Sequence, residues 1–117
     1  MAYSVIKEFV TWLNSLGYSA STYPPKSGTE FVTVERTSGY VENMVDHPSI
    51  AIQAWAATEV RAAEMADEIR LAALTRPLPV GVHHITVEAG PYAFWDESTR
   101  LPRYQVVFDV TSQLTNE

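Results

Sequence analysis

The segment from residue 58 to residue 75 carries the strongest helical pattern in the sequence and limits what the rest of the chain can build. Its apolar positions recur at three- and four-residue steps, which predicts one buried stripe: Ala62, Met65, Ala66, Ile69 and Ala73. Thr58 is a suitable N-cap, and Pro77 stops the helix because proline lacks a backbone N–H. Most of the stripe is alanine, so we expect this helix to lie close to a sheet or to a second helix.

A second amphipathic helix is predicted at residues 4–16, with Ser4 as its N-cap and Gly17 just beyond its end. Four segments have the composition or the two-residue alternation of strands: 31–37, 49–55, 82–88 and 104–110. A short strand at 18–22 stays open. The order of elements predicts an α+β domain over residues 1–112, with a mainly antiparallel sheet of about four strands and two helices on one face. A polar tail is expected at 113–117.

Charge and cysteine content narrow the classes of function. The chain has fourteen Asp and Glu against eight Lys and Arg, a formal net charge of −6, and no Cys. An acidic chain without a basic cluster is not expected to be a dedicated nucleic-acid reader, and the lack of Cys excludes disulfides, thiolate metal sites and cysteine nucleophiles. No apolar run approaches the ~20 residues that span a bilayer, and no signal-peptide pattern begins the chain, so we expect a soluble protein made in the cytoplasm.

Histidine and carboxylate residues give two weak indications of chemistry. Asp46 is next to His47, and an aspartate that orients a histidine is part of a catalytic triad. The same residues before Pro48 are typical of a turn in which the carboxylate caps backbone amides, and this is the interpretation that we favour. Glu64 and Glu68 lie one helical turn apart, but they are opposite the apolar stripe and no Glu-x-x-His motif follows, so we expect a solvated face and no metal site.

Two connections are longer and more apolar than ordinary solvated loops: 38–48 and 89–103. The second is near fifteen residues long and rich in aromatic residues, and connections of that length usually have a function. Aromatic side chains on an extended loop suit a protein–protein contact, and they equally suit a cover over the open sheet face of their own domain. The subunit-interface candidates come from these two connections: Tyr40, Met44, Val45, Tyr92, Phe94, Trp95, Arg100 and Arg103.

Three stretches together resemble the small tail-terminator proteins of long-tailed, non-contractile bacteriophages, which complete the tail and join it to the head. The stretches are residues 31–40, FVTVERTSGY; residues 45–56, VDHPSIAIQAWA; and residues 90–105, with GPY ahead of PRYQ. The order and spacing of these stretches, together with the total length, carry the likeness, which spans about residues 1–112.

This resemblance implies a structural virion protein, not an enzyme, with an α+β fold whose long loops reach neighbouring subunits. It implies a homohexameric ring that caps the tail tube, stops tube polymerisation and presents a surface to the head connector, with no cofactor and no membrane contact. DNA would pass through the ring without specific binding, and the net charge of −6 is compatible with a lumen that repels phosphate. Two alternatives stay open: a head-completion or neck connector protein, and a small α+β enzyme or ligand-binding domain that uses Asp46 and His47.

Overall fold

A computed structural model of the chain describes residues 3–94 and 101–114. The elements are α1 (Val5–Ser15), β1 (Ala20–Ser21), β2 (Phe31–Glu42), β3 (Val45–Trp55), α2 (Glu59–Thr75), β4 (Val82–Ala93) and β5 (Arg103–Gln113). The strands form one sheet in the order β1–β2–β3–β5–β4, in which β1 runs parallel to β2 and the other neighbours are antiparallel. The predicted α+β class is therefore confirmed, but the sheet is mixed and has five strands instead of about four antiparallel ones.

Both helices begin where the sequence predicts, and α2 buries its predicted stripe. The Ser4 side chain accepts a hydrogen bond from the backbone N–H of Lys7, and the Thr58 side chain accepts one from the backbone N–H of Arg61. Gly17 follows α1 with a φ of +103°, a conformation that glycine adopts without steric cost. The buried residues of α2 are the five predicted ones: Ala62, Met65, Ala66, Ile69 and Ala73.

The two helices pack on the same face of the sheet, and the main core lies beneath them. Phe9 of α1 and Met65 of α2 are fully buried, and the Trp12 indole donates a 2.9 Å hydrogen bond to the Pro77 carbonyl, which ties α1 to the chain after α2. The strands contribute alternate residues to this core: Val32, Val34, Ile50, Ile52, Ala54, Ile85, Val106, Phe108 and Val110. We call the opposite side of the sheet, on which neither helix packs, the open face.

The connection predicted at 38–48 is not a loop, because β2 and β3 run through it as a hairpin. Gly39 lies opposite Pro48 in the ladder and has a φ of +143°. A Cβ on Gly39 would meet backbone atoms of His47 and Pro48 at 2.7 Å, so only glycine fits there. Glycine and proline usually mark loops, but here they let two strands approach closely, which is why the sequence prediction is wrong.

The connection predicted at 89–103 is also shorter than expected. β4 runs through residue 93 and β5 begins at Arg103, with register shifts along their ladder that carry the strand past its glycine and proline. The ladder continues to Phe94, whose backbone N–H donates to the Arg103 carbonyl at 2.9 Å. Two of the predicted interface residues in this connection, Trp95 and Arg100, lie outside the described residues.

Candidate functional site

The turn between β2 and β3 presents Met44, whose side chain is 76% exposed. The turn consists of Asn43 and Met44, with φ angles of 53° and 64°. Positive φ at both central residues matches the type I′ turn, whose twist fits the flanking strands and which asparagine and glycine normally occupy. Asn43 suits this conformation, whereas an unbranched side chain such as that of Met44 costs about 1–2 kcal/mol in the left-handed region. The chain therefore holds a large apolar side chain in solvent at a position where glycine would fit without strain.

Residues 40–44, which we call the hairpin tip, expose two more apolar side chains. Tyr40 is 60% exposed and Val41 is 53% exposed, while the predicted interface residue Val45 is half-buried. Successive residues of a strand point to opposite faces, so Tyr40 and Val41 place apolar surface on both sides of the hairpin. Glu42 is exposed, and no ion pair reaches it from residues 3–94 or 101–114. An apolar patch of this kind, with a carboxylate at its margin, favours contact with another protein.

Asp46 does not orient His47, because an arginine holds it. Arg36 donates hydrogen bonds of 2.7 and 2.8 Å to the two carboxylate oxygens of Asp46, which is only 7% exposed. This bidentate contact raises the pKa of Arg36. His47 lies on the other side of the strand and stacks on Tyr40, with 4.7 Å between the ring centroids. Both sequence interpretations of Asp46, triad member and turn cap, are therefore wrong: Asp46 and Arg36 clamp the base of the hairpin.

A half-open groove of about 530 Å³ lies on the open face beside the hairpin. Tyr40, His47, Ser49, His84 and Asp109 are among the residues that line it. Within the described part of the chain, His47 makes no hydrogen bond to Ser49, so the groove lacks the nucleophile–base contact that activates a serine. The groove can accept a polar group, but its geometry does not assemble a catalytic triad.

Glu88 and Asp109 form a carboxyl pair next to this groove. A hydrogen bond to Asp109, and then the charge of Asp109, raise the pKa of Glu88, while a hydrogen bond from Ser49 acts in the opposite direction. Ser49 Oγ lies 3.5 Å from Glu88 Oε1 and 3.5 Å from Asp109 Oδ1. The pair can hold a proton between two acids. Nowhere in the described ranges do three His, Asp or Glu side chains come together as a metal site requires.

A chain of side-chain hydrogen bonds crosses the centre of the open face. Trp55 Nε1 donates to Thr33 Oγ1 at 3.0 Å, and Thr33 Oγ1 donates to Gln53 Oε1 at 2.7 Å. Gln53 Nε2 donates to Gln105 Oε1 at 2.6 Å, and Gln105 Nε2 donates to the Tyr92 hydroxyl at 2.5 Å. Thr33, Gln53 and Gln105 are buried and paired across neighbouring strands. Sequence reasoning missed this ladder, because polar residues at alternate strand positions usually indicate a solvated face.

Phe94 and Arg103 cover one end of the open face. The Arg103 guanidinium lies 4.7 Å from the ring centroid of Trp55 and 4.7 Å from that of Phe94. Phe94 packs edge-on against Tyr92 with 6.1 Å between centroids. Tyr92 and Phe94 keep 38% and 39% of their surface exposed. The sequence suggests either a contact with another protein or a cover over the domain's own sheet. The described residues of this connection pack on the domain's own sheet.

The carboxylates that line α2 are held by arginine. Arg61 lies 2.9 Å from a carboxylate oxygen of Glu30 and 3.5 Å from oxygens of Glu64 and Glu68. The side chains of Glu64 and Glu68 are 60% and 53% exposed. Exposed ion pairs of this type contribute little stability, and they agree with the predicted solvated face.

The outer side of α2 also carries apolar residues, which sequence reasoning overlooked. Val60, Leu71 and Leu74 are 71%, 60% and 59% exposed. They are separated by close to whole numbers of helical turns, so they lie along one line of the helix, opposite the buried stripe. The helical spacing was the signal that could have found them, but charged neighbours on the same side concealed it.

A scan against models of known protein families matches none of them, and a search of curated protein sequences finds no relative of this chain. Across the described ranges, neither helix combines the length and the apolar composition needed to cross a membrane. Because no relative suggests a function, we infer one from the surfaces of the chain itself.

Proposed function

We propose that this chain is a structural virion protein: a tail terminator that assembles into a ring, caps the phage tail tube and joins it to the head. The observation that carries the proposal is Met44, an exposed apolar side chain held in a backbone conformation that favours glycine. Strained positions that persist in a protein are often functional, and an exposed apolar patch is typical of a contact surface. The sequence resemblance supplies the partners: neighbouring copies, the tail-tube protein and the head connector.

The dimensions of the chain suit a six-membered ring with an opening for DNA. Its principal extents are 42 × 27 × 26 Å. In a hexameric ring each subunit centre lies as far from the axis as from its neighbour. With the long dimension along the axis and neighbours in contact, the opening would be about 27 Å across, which admits a DNA duplex. An acidic wall in such a lumen would repel phosphates, so DNA would pass without being held.

The groups that suggested chemistry support an assembly role better than catalysis. Arg36 donates hydrogen bonds to both carboxylate oxygens of Asp46, and Tyr40 stacks on His47, so both contacts hold the two strands of the hairpin together. Among the described residues, Ser49 makes its side-chain hydrogen bonds to two carboxyls and none to a histidine. We therefore infer a protein that works through its surfaces at the head-proximal end of the tail, and not through an active site.

The mass of the full chain, alone and with tail tubes, tests this proposal. Six copies of the 13.1 kDa chain weigh about 79 kDa, which native mass spectrometry separates from the monomer. We expect a hexamer at high concentration or on tail tubes, and tubes that stop growing once it has bound. A chain that stays monomeric in both conditions and leaves tube length unchanged would falsify the proposal.

Electron microscopy of particles that lack the protein separates the terminator from a head-completion protein. A terminator leaves overlong tails without heads, because nothing stops the tube or joins it to the connector. Heads that leak DNA, with tails of normal length, would instead place the protein at the neck.

A further inference from the structure

A ring of identical subunits needs two different contact surfaces on every copy, because each copy joins one patch to a different patch of the next. In the proposed ring, the hairpin tip is one such surface. A contact between two tips would close a twofold dimer and could not continue around a ring. The surface that receives the tip therefore lies elsewhere on the same chain.

The C-terminal half of α2 has the required apolar character. Leu71 and Leu74 are both more than half exposed, whereas Ile69 and Ala73 on the other side of the helix are buried. α2 packs over β3, β4 and β5, whereas the tip projects from the turn that joins β2 to β3, so the two surfaces belong to different elements. One copy can thus present its tip to one neighbour and α2 to the other.

The two surfaces also carry opposite charges. Arg70 and Arg76 flank the two leucines, and both are exposed. Arg70 has one 3.5 Å contact with Asp67, and Arg76 has no ion pair within residues 3–94 and 101–114. Glu42 at the tip is equally unpaired in those ranges. An acidic apolar tip and a basic apolar helix end are complementary, which favours their association and fixes its orientation.

We infer that the hairpin tip of one copy docks on the C-terminal half of α2 of the next copy. Val41 and Met44 of the tip pack against Leu71 and Leu74, and Glu42 lies beside an arginine of the helix. This inference rests on the proposed ring and names the contact that builds it.

Mixing two defective variants tests the contact. Met44→Gly removes the tip's most exposed apolar side chain, and Leu74→Ser removes an apolar side chain from the helix. Each is expected to weaken self-association by about five- to thirtyfold. Each variant keeps one intact surface, so the mixture should form one-to-one pairs that do not extend, seen by native mass spectrometry with one variant isotopically labelled. Val60→Ser, which changes a more exposed apolar side chain at the other end of α2, is the control and should assemble like the wild type.

Charge reversal gives an independent test on two residues that are exposed in the monomer. Glu42→Arg and Arg76→Glu should each weaken assembly about five- to tenfold, and the two changes in one chain should restore it to within about threefold. Circular dichroism and thermal unfolding should show wild-type monomer folding for each variant. No recovery in the doubly reversed chain would contradict the pairing.

The outcomes separate this contact from the ring itself. If the wild type assembles and the Leu74→Ser and Arg76→Glu chains assemble equally well, the contact is wrong and the ring stands. If those variants form rings but no longer bind tail tubes, α2 faces the tube protein and the inference is overturned. If the wild type never assembles, alone or on tubes, the proposed function fails first.

Discussion

Replacing Met44 with glycine should make the monomer more stable and the assembly weaker. The left-handed conformation at this position costs a non-glycine residue about 1–2 kcal/mol, while glycine adds about 0.5–1 kcal/mol of unfolded-state entropy. Met44 is 76% exposed, so little burial is lost in the monomer. The net gain is about 0.5–1 kcal/mol, which raises the melting temperature of a domain of this size by about 2–5 °C.

The same substitution removes the side chain that we place in the subunit contact. Burying a whole methionine side chain contributes about 1.5–3 kcal/mol, so burying its exposed three-quarters contributes about 1–2 kcal/mol to each contact. Losing that contribution weakens each contact by about five- to thirtyfold. A strained residue that lies in a subunit contact should lower the stability of the monomer and raise the affinity of assembly.

Two measurements on one pair of variants check this reasoning. Urea or thermal unfolding at a concentration where the chain is monomeric gives the stability, and native mass spectrometry over a concentration series gives the affinity. Asn43→Gly is the control, because it relaxes the neighbouring turn residue and keeps Met44. A Met44→Gly chain that is less stable than the wild type refutes the strain argument, and one that assembles as tightly as the wild type refutes the contact.

Three other predictions concern the clamp, the ladder and the carboxyl pair. Asp46→Ala removes both hydrogen bonds from Arg36 and should lower the free energy of unfolding by about 1–2 kcal/mol in urea titrations; an unchanged midpoint contradicts the clamp. Gln53→Ala breaks the buried ladder and should cost about 1–3 kcal/mol by the same measurement, whereas a neutral effect would show that the ladder adds nothing. The pKa of Glu88 is raised from 4.5, so the folded state binds this proton more tightly than the unfolded chain. Its contribution to stability should therefore grow as pH falls through that raised pKa and be complete below the ordinary value. The contribution should vanish in Glu88→Gln, as unfolding curves at several pH values will show.

The helices could be predicted because their signals are local. Thr58 caps α2 with its own side chain, and the alanine-rich stripe repeats within one stretch of sequence. Ser4 and Gly17 mark the two ends of α1 in the same way. The short strand that the sequence leaves open at 18–22 is present as β1, but its parallel pairing with β2 depends on residues more than ten positions away.

The strand ends could not be predicted, because they depend on what lies opposite. Gly39 and Pro48 read as loop residues when taken alone, yet they face each other in one ladder. The same holds for the glycine and proline of β4, which register shifts accommodate. Residues 38–42, 45–48 and 89–93, which the sequence assigns to long loops, therefore lie in strands.

The candidate surface was predicted in part. Tyr40 and Met44 are exposed at the hairpin tip, as expected for a contact surface, and their role in assembly stays a prediction. Arg103 lies between two aromatic rings of its own domain, and its role in an interface stays a prediction. Leu71 and Leu74 were missed, because charged residues around them suggested a fully solvated helix face.

Electron micrographs of tail tubes incubated with the full chain test the central claim most directly. We expect a sixfold ring at a single end of each tube, and bare tube ends when the Met44→Gly chain replaces the wild type at the same concentration. Tubes that remain bare with the wild-type chain, or rings that form equally well with Met44→Gly, would contradict a terminator that assembles through its hairpin tip.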